Sequence, residues 1–164
     1  MGYGILNPNV FFIGKFEPRM PDDAIIFIVE DDPLFVDMYK TAFEGAGYTV
    51  DFAFDGETGL KKLKEMPQKP SVLLLDVMMP RMNGIDMLKA MKGEEPLKAI
   101  PVIFLTNLSG AEDARHALEH GAVTYLVKSQ YTPKEVVQKV REIVEAYSRG
   151  ERIPDVQVEV KKSE

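Results

Sequence analysis

Five polar residues stand where apolar runs end. Glu30 and Asp31 follow AIIFIV (24–29), Asp76 follows VLLL (72–75), Thr106 closes PVIFLT (101–106), and Lys128 follows the run from Val123 to Val127. An ionised carboxylate at the end of an apolar run must meet water, a cation or hydrogen-bond donors. Three carboxylates brought together repel one another and raise each other's pKa. A hard divalent cation relieves that repulsion: Mg²⁺ takes oxygen ligands, keeps some waters and completes its shell with phosphate oxygens. Lys128 adds a fixed positive charge, and Thr106 a short hydroxyl donor. A carboxylate ringed by cation, ammonium and hydroxyl suits phosphoryl transfer onto that carboxylate. Such transfer is mostly positioning and charge neutralisation, and carboxylate nucleophiles of this kind form aspartyl-phosphates. Taken singly, each residue has a plainer use as a loop acid or a strand-end residue. Their meeting at one place is what points to chemistry.

That meeting depends on the elements that carry them. The runs at 24–29, 71–76 and 101–106 show no period-2 alternation, the pattern of strands buried on both faces of a parallel sheet. Tyr48 to Phe54 alternates more, as an outer strand would. Between the strands lie helix signals. Asp32 with Pro33 is a cap followed by a first-turn proline, and Asp55 and Asn83 are further caps. Ser109 with Glu112, and Thr132 with Glu135, read as capping boxes. The last helix carries Val136, Val137, Val140, Ile143, Val144 and Tyr147 as one stripe. Gly45 to Gly47, Pro67, Gly93 and Gly121 end helices. Five strands alternating with five helices predict an α/β fold, a doubly wound five-stranded parallel sheet with helices on both faces. The order 2-1-3-4-5 fits, with its switch point between strands 1 and 3, and all five residues then converge on the carboxyl rim.

The chain of 164 residues suffices for one domain with tails. Residues 1–21, broken by glycines and prolines, read as an N-terminal arm; 22–148 as the domain; 149–164 as a polar C-terminal tail, with Val156, Val158 and Val160 alternating. A net charge of −6 argues against direct nucleic-acid binding. The absence of cysteine rules out disulfides and thiolate metal sites. No apolar run approaches the roughly 18–20 residues of a membrane span. No Lys or Arg precedes Lys15, so a secretion signal is not indicated. A cytoplasmic location, away from the membrane, is expected.

The segments IVEDDP, LLLDVMMPRMNG, PVIFLTN and YLVKS resemble the receiver domains of bacterial two-component response regulators, over roughly Ala24 to Tyr147, and a stand-alone, single-domain receiver of the chemotaxis-regulator-like type is expected. The resemblance implies a flavodoxin-like fold and a signalling phosphoacceptor that catalyses only its own phosphorylation and dephosphorylation. It implies Asp76 as phosphoacceptor, Asp31 as a direct Mg²⁺ ligand with Glu30 assisting, and the Met78 carbonyl completing the protein ligands. Lys128 and Thr106 would each hold a phosphoryl oxygen. Thr106 and Tyr125 would be the switch pair. The phosphodonor would be a histidine kinase or phosphotransfer protein. Phosphorylation adds nearly two negative charges, so the face of helix 4, strand 5 and helix 5 is expected to carry recognition of a downstream protein, by a monomer or a phosphorylation-dependent dimer. Two departures stand out. Ser129 replaces the family's usual proline after the lysine; a non-proline cis bond costs about 3–4 kcal/mol, which favours a trans bond and another loop shape. Asn107 is larger than the residue usual there and bears on phosphodonor entry and hydrolysis.

Other readings are weaker. His116 to His120 fits H-x-x-E-H, yet both histidines are expected to face solvent, opposite Leu118, with no third ligand. A haloacid-dehalogenase-like phosphatase needs a second Asp where Met78 stands. A flavin carrier would need a phosphate loop where this chain is acidic. An unphosphorylated interaction module would not need the acid trio, Thr106 and Lys128.

Overall fold

Uninterrupted Val, Leu and Ile runs can be satisfied only when apolar layers cover both faces, and that is how they are used. The computed structural model describes residues 24–151. Its elements are β1 (Ile25–Val29), α1 (Pro33–Gly45), β2 (Thr49–Ala53), α2 (Gly56–Glu65), β3 (Val72–Leu75), α3 (Gly84–Lys92), β4 (Val102–Thr106), α4 (Ala111–Glu119), β5 (Thr124–Val127) and α5 (Pro133–Ser148). The sheet is parallel throughout, in the order β2-β1-β3-β4-β5. The fold is the expected flavodoxin-like one. The arm at 1–21 and the alternating valines of the tail lie outside the described residues.

The register does the positioning. Val29 pairs with Leu75, Leu75 with Phe104, and Thr106 with Val127. Glu30, Asp76 and Lys128 each follow the last paired residue of their strand, so they reach the same rim. The core lies in two layers. Phe27, Leu73, Leu75 and Phe104 face Leu63 of α2 and Met87, Leu88 and Met91 of α3. Ile26, Ile28, Leu74 and Ile103 face Tyr39 and Phe43 of α1 and the valines of α5.

The helix starts follow the caps at Asp32, Asp55, Asn83 and Thr132, the last as a complete capping box with Glu135. The box expected at Ser109 does not form. Gly110 is the N-cap of α4, without a side-chain cap bond. The helix begins one residue late for Glu112 to reach back, and Glu112 lies 3.8 Å from Arg115 instead. The sheet-facing side of α4 is Ala114 and Ala117; Leu118, expected there, is only partly buried. On α5 the buried stripe ends at Val144, and Tyr147 is exposed.

Gly84 shows how closely α3 approaches the rim. A Cβ on it would stand 2.1 Å from the Asp76 carbonyl oxygen and 2.9 Å from Phe104 Cε1. The first contact is backbone and cannot swing aside. Gly84→Ala is expected to cost about 3 kcal/mol in urea denaturation, at the upper end for an overpacked site. A loss under about 1 kcal/mol would show that the helix start shifts freely.

Candidate functional site

The strand ends and their loops enclose a cavity of about 250 Å³. Glu30, Asp31, Asp76, Thr106 and Lys128 all line it, and the sequence-expected set is thus brought together. Glu30, Asp76, Thr106 and Lys128 are buried, whereas Asp31 is exposed. Carboxylate oxygens of Glu30, Asp31 and Asp76 lie within 4.8 Å of one another. The Lys128 ammonium donates to Glu30 Oε2 and, at 3.1 Å, to Asp76 Oδ2. Two backbone donors help: Asp32 N–H to Glu30 Oε1 at 3.1 Å, and Met78 N–H to Asp76 Oδ1 at 3.3 Å. Burial pushes the Glu30 carboxyl up to about 7, Asp76 pushes the same way, and Lys128 opposes both.

Three carboxylates against one ammonium leave an excess of negative charge in a partly closed space. Oxygen-only donors, one of them open to solvent, fit a hard divalent cation such as Mg²⁺. Thr106 Oγ1 accepts from Leu108 N–H at 3.3 Å. Tyr125 is buried, and its hydroxyl donates to the Leu108 carbonyl at 3.0 Å. Burial, with Asp113 and Asp76, holds that phenol up at about 12, so it remains a donor. Both residues therefore grip the same short loop. Asn107 lines the cavity and is exposed. The Lys128–Ser129 bond is trans, the cis bond among the described residues being Glu95–Pro96, and Lys128–Gln130 form a short 3₁₀ turn.

Sequence reasoning missed Phe35. Its ring centroid lies 4.1 Å from the Lys128 Nζ, on the cavity wall. Phe35→Leu is expected to cost about 1 kcal/mol through the lost cation–π contact. In a Lys128→Met background the same change should cost measurably less. Equal costs in the two backgrounds would show that the ring serves packing alone. Arg81 was also missed: it takes the left-handed φ of 65° and donates to Asp55 Oδ2 at 2.7 Å, tying the β3–α3 loop to the start of α2. That contact helps hold the Asp55 carboxyl below its usual range, after the Thr58 N–H that Asp55 caps. Only the β2-end position of Asp55 hinted at this.

The family model for the response regulator receiver domain matches residues 26–141. Among curated proteins, the DNA-binding response regulator MtrA of Mycolicibacterium smegmatis is 34% identical over 116 residues, which is 71% of this chain and 48% of that protein. RpaA of Synechocystis, a DNA-binding dual master transcriptional regulator, is 32% identical over 129 residues, 79% of this chain and 51% of that protein. The chain thus spans about half the length of these curated relatives. Among solved structures, a CheY-like receiver domain protein of Methanospirillum hungatei superposes with a TM-score of 0.71 at 26% identity, covering 78% of this chain and 98% of that one. The chemotaxis response regulator CheY4 of Vibrio cholerae gives 0.66 at 30% identity, covering 74% and 98%. Sequence match, strand order and rim all agree, and the chain belongs to the response regulator receiver domains of two-component systems.

Proposed function

We propose that this receiver accepts a phosphoryl group on Asp76. The observation that carries the reading is the buried Lys128 ammonium on Asp76 Oδ2, within an acid trio that fits Mg²⁺. An Asp76 oxygen attacks phosphorus, and the bond from phosphorus to the donor nitrogen or oxygen breaks as the acyl phosphate forms. Glu30, Asp31, Asp76 and the Met78 carbonyl would hold the cation. When bound, it would neutralise charge on the phosphoryl oxygens. Lys128 and the Thr106 hydroxyl take the remaining oxygens. Turning Thr106 inward removes the acceptor of the Leu108 N–H, while Tyr125 holds the Leu108 carbonyl. The charge at the rim is thereby coupled to the loop that leads into α4.

The reading takes residues 22–148 as the receiver unit, with 1–21 as an arm and 149–164 as a tail. The donor is a histidine kinase or phosphotransfer protein. Output goes through a downstream protein at the α4–β5–α5 face, by a monomer or a phosphorylation-dependent dimer. A cytoplasmic site of action belongs to this reading; among the described residues, no helix is long and apolar enough to cross a membrane. The matched stretch is half of the DNA-binding relatives, and DNA contact is not assigned to it. The test is intact mass after incubation with a small phosphodonor, with and without Mg²⁺, followed by peptide mapping. One phosphoryl group on Asp76, formed only with Mg²⁺, is expected. An unmodified chain under conditions that load a control receiver would overturn the reading.

A further inference from the structure

One cluster on α4 is not used by the rim chemistry. His116 is exposed, and His120, the C-cap, is half-buried one turn on. Spacing of i,i+4 places both on one side of the helix. Their rings do not splay apart: the Nε2 atoms lie 2.9 Å from each other, with ring centroids 4.5 Å apart and planes inclined at 73°. That separation has a chemical meaning. With metal–nitrogen bonds of about 2.0–2.1 Å, two ligands at a right angle hold their nitrogens about 2.9 Å apart, and two at a tetrahedral angle about 3.3 Å apart.

We propose that His116 and His120 form a bidentate surface site for one borderline divalent cation of the zinc, nickel or copper(II) class, with water in the remaining positions. The site stands independently of phosphoryl chemistry. In the metal-free pair, one Nε2–H donates to the other Nε2. Ligation needs both lone pairs, so that proton moves to Nδ1 of its own ring. Both rings then bind the cation through Nε2. The C-terminal end of α4 adds its negative dipole to the attraction. Arg115 does not compete for the rings, being engaged by Glu119 at 2.8 Å. The two sites also divide the cations between them. The chain has two histidines and no cysteine, so these rings are its whole imidazole and thiolate supply. The rim trio offers oxygen alone and suits hard cations, whereas imidazole suits the later transition metals.

The experiment titrates the full chain, without a histidine tag, with Cu²⁺ in excess Mg²⁺, which fills the rim, and records calorimetry and electron paramagnetic resonance. One equivalent bound, with hyperfine structure from two imidazole nitrogens, is expected. His116→Ala and His120→Ala should each lose at least about tenfold in affinity, because the second ligation is intramolecular. His120→Gln should match His120→Ala, which separates ligation from helix damage. A spectrum with fewer than two nitrogens, or single histidine variants that bind like the parent, would overturn the site.

Discussion

Asp76→Asn is expected to take up no phosphoryl group while folding at least as stably as the parent chain. The amide keeps the shape of the side chain and an oxygen for the Met78 N–H, but it carries no charge with which to attack phosphorus. The stability side follows from counting charges. Glu30, Asp31 and Asp76 share one rim, and among the described residues Lys128 is the cation paired with them. Two unit charges at 4 Å interact by about 4 kcal/mol at an effective dielectric constant of 20. With Glu30 ionised, above its pKa of about 7, removing Asp76 relieves two such repulsions and gives up one attraction. Loss of the buried hydrogen bond to Lys128 offsets part of the gain, leaving about 1 kcal/mol in favour of the variant in Mg²⁺-free buffer. Urea denaturation beside intact-mass analysis reads both effects. A variant destabilised by more than about 2 kcal/mol would mean that Asp76 is a structural partner of Lys128 first.

Lys128→Met should do the opposite to the fold. Methionine is long and apolar, and its stem fills the space of the lysine stem. What is lost is the ammonium between two buried carboxylates. Breaking such a pair leaves uncompensated buried charge, at a cost of about 3–5 kcal/mol. Phosphoryl uptake should also slow about 10²-fold or more, as when a preorganised charge is taken from a transition state. Adding Glu30→Gln should return most of the stability, since it removes one of the stranded charges, and little of the uptake. If the double variant is no more stable than Lys128→Met, burial of the carboxylates is not what the lysine offsets.

These two variants rest on residues that could be found in the sequence, and the reason is topological. Glu30, Asp76, Thr106 and Lys128 end apolar runs, and a parallel sheet sends such ends to one side. Asp31, next to Glu30, comes with them. Phe35 was hidden because an apolar residue in the first turn of a helix reads as core; only the placement of α1 turns its ring over Lys128. The Arg81–Asp55 contact spans 26 positions and needs a left-handed backbone at an arginine, which no local pattern announces. At α4, Ser109 and Glu112 satisfy the capping pattern, but a helix starting one residue later breaks its geometry. The His116–His120 spacing was legible too. The convergence of their nitrogens depends on side-chain rotamers and was not.

The two alanines under α4 have a consequence for how the molecule comes apart. Burying a methyl group contributes about 0.8 kcal/mol, whereas a fully buried valine or isoleucine contributes about 2 kcal/mol. α5 sets five such residues into its layer, and α4 sets in only Ala114 and Ala117. α4 can therefore detach and return while the sheet stays folded, as a separate cooperative unit of low opening free energy. Its amide protons will trade with solvent through that local opening. Those of β3 and β4 must wait for the whole domain to unfold.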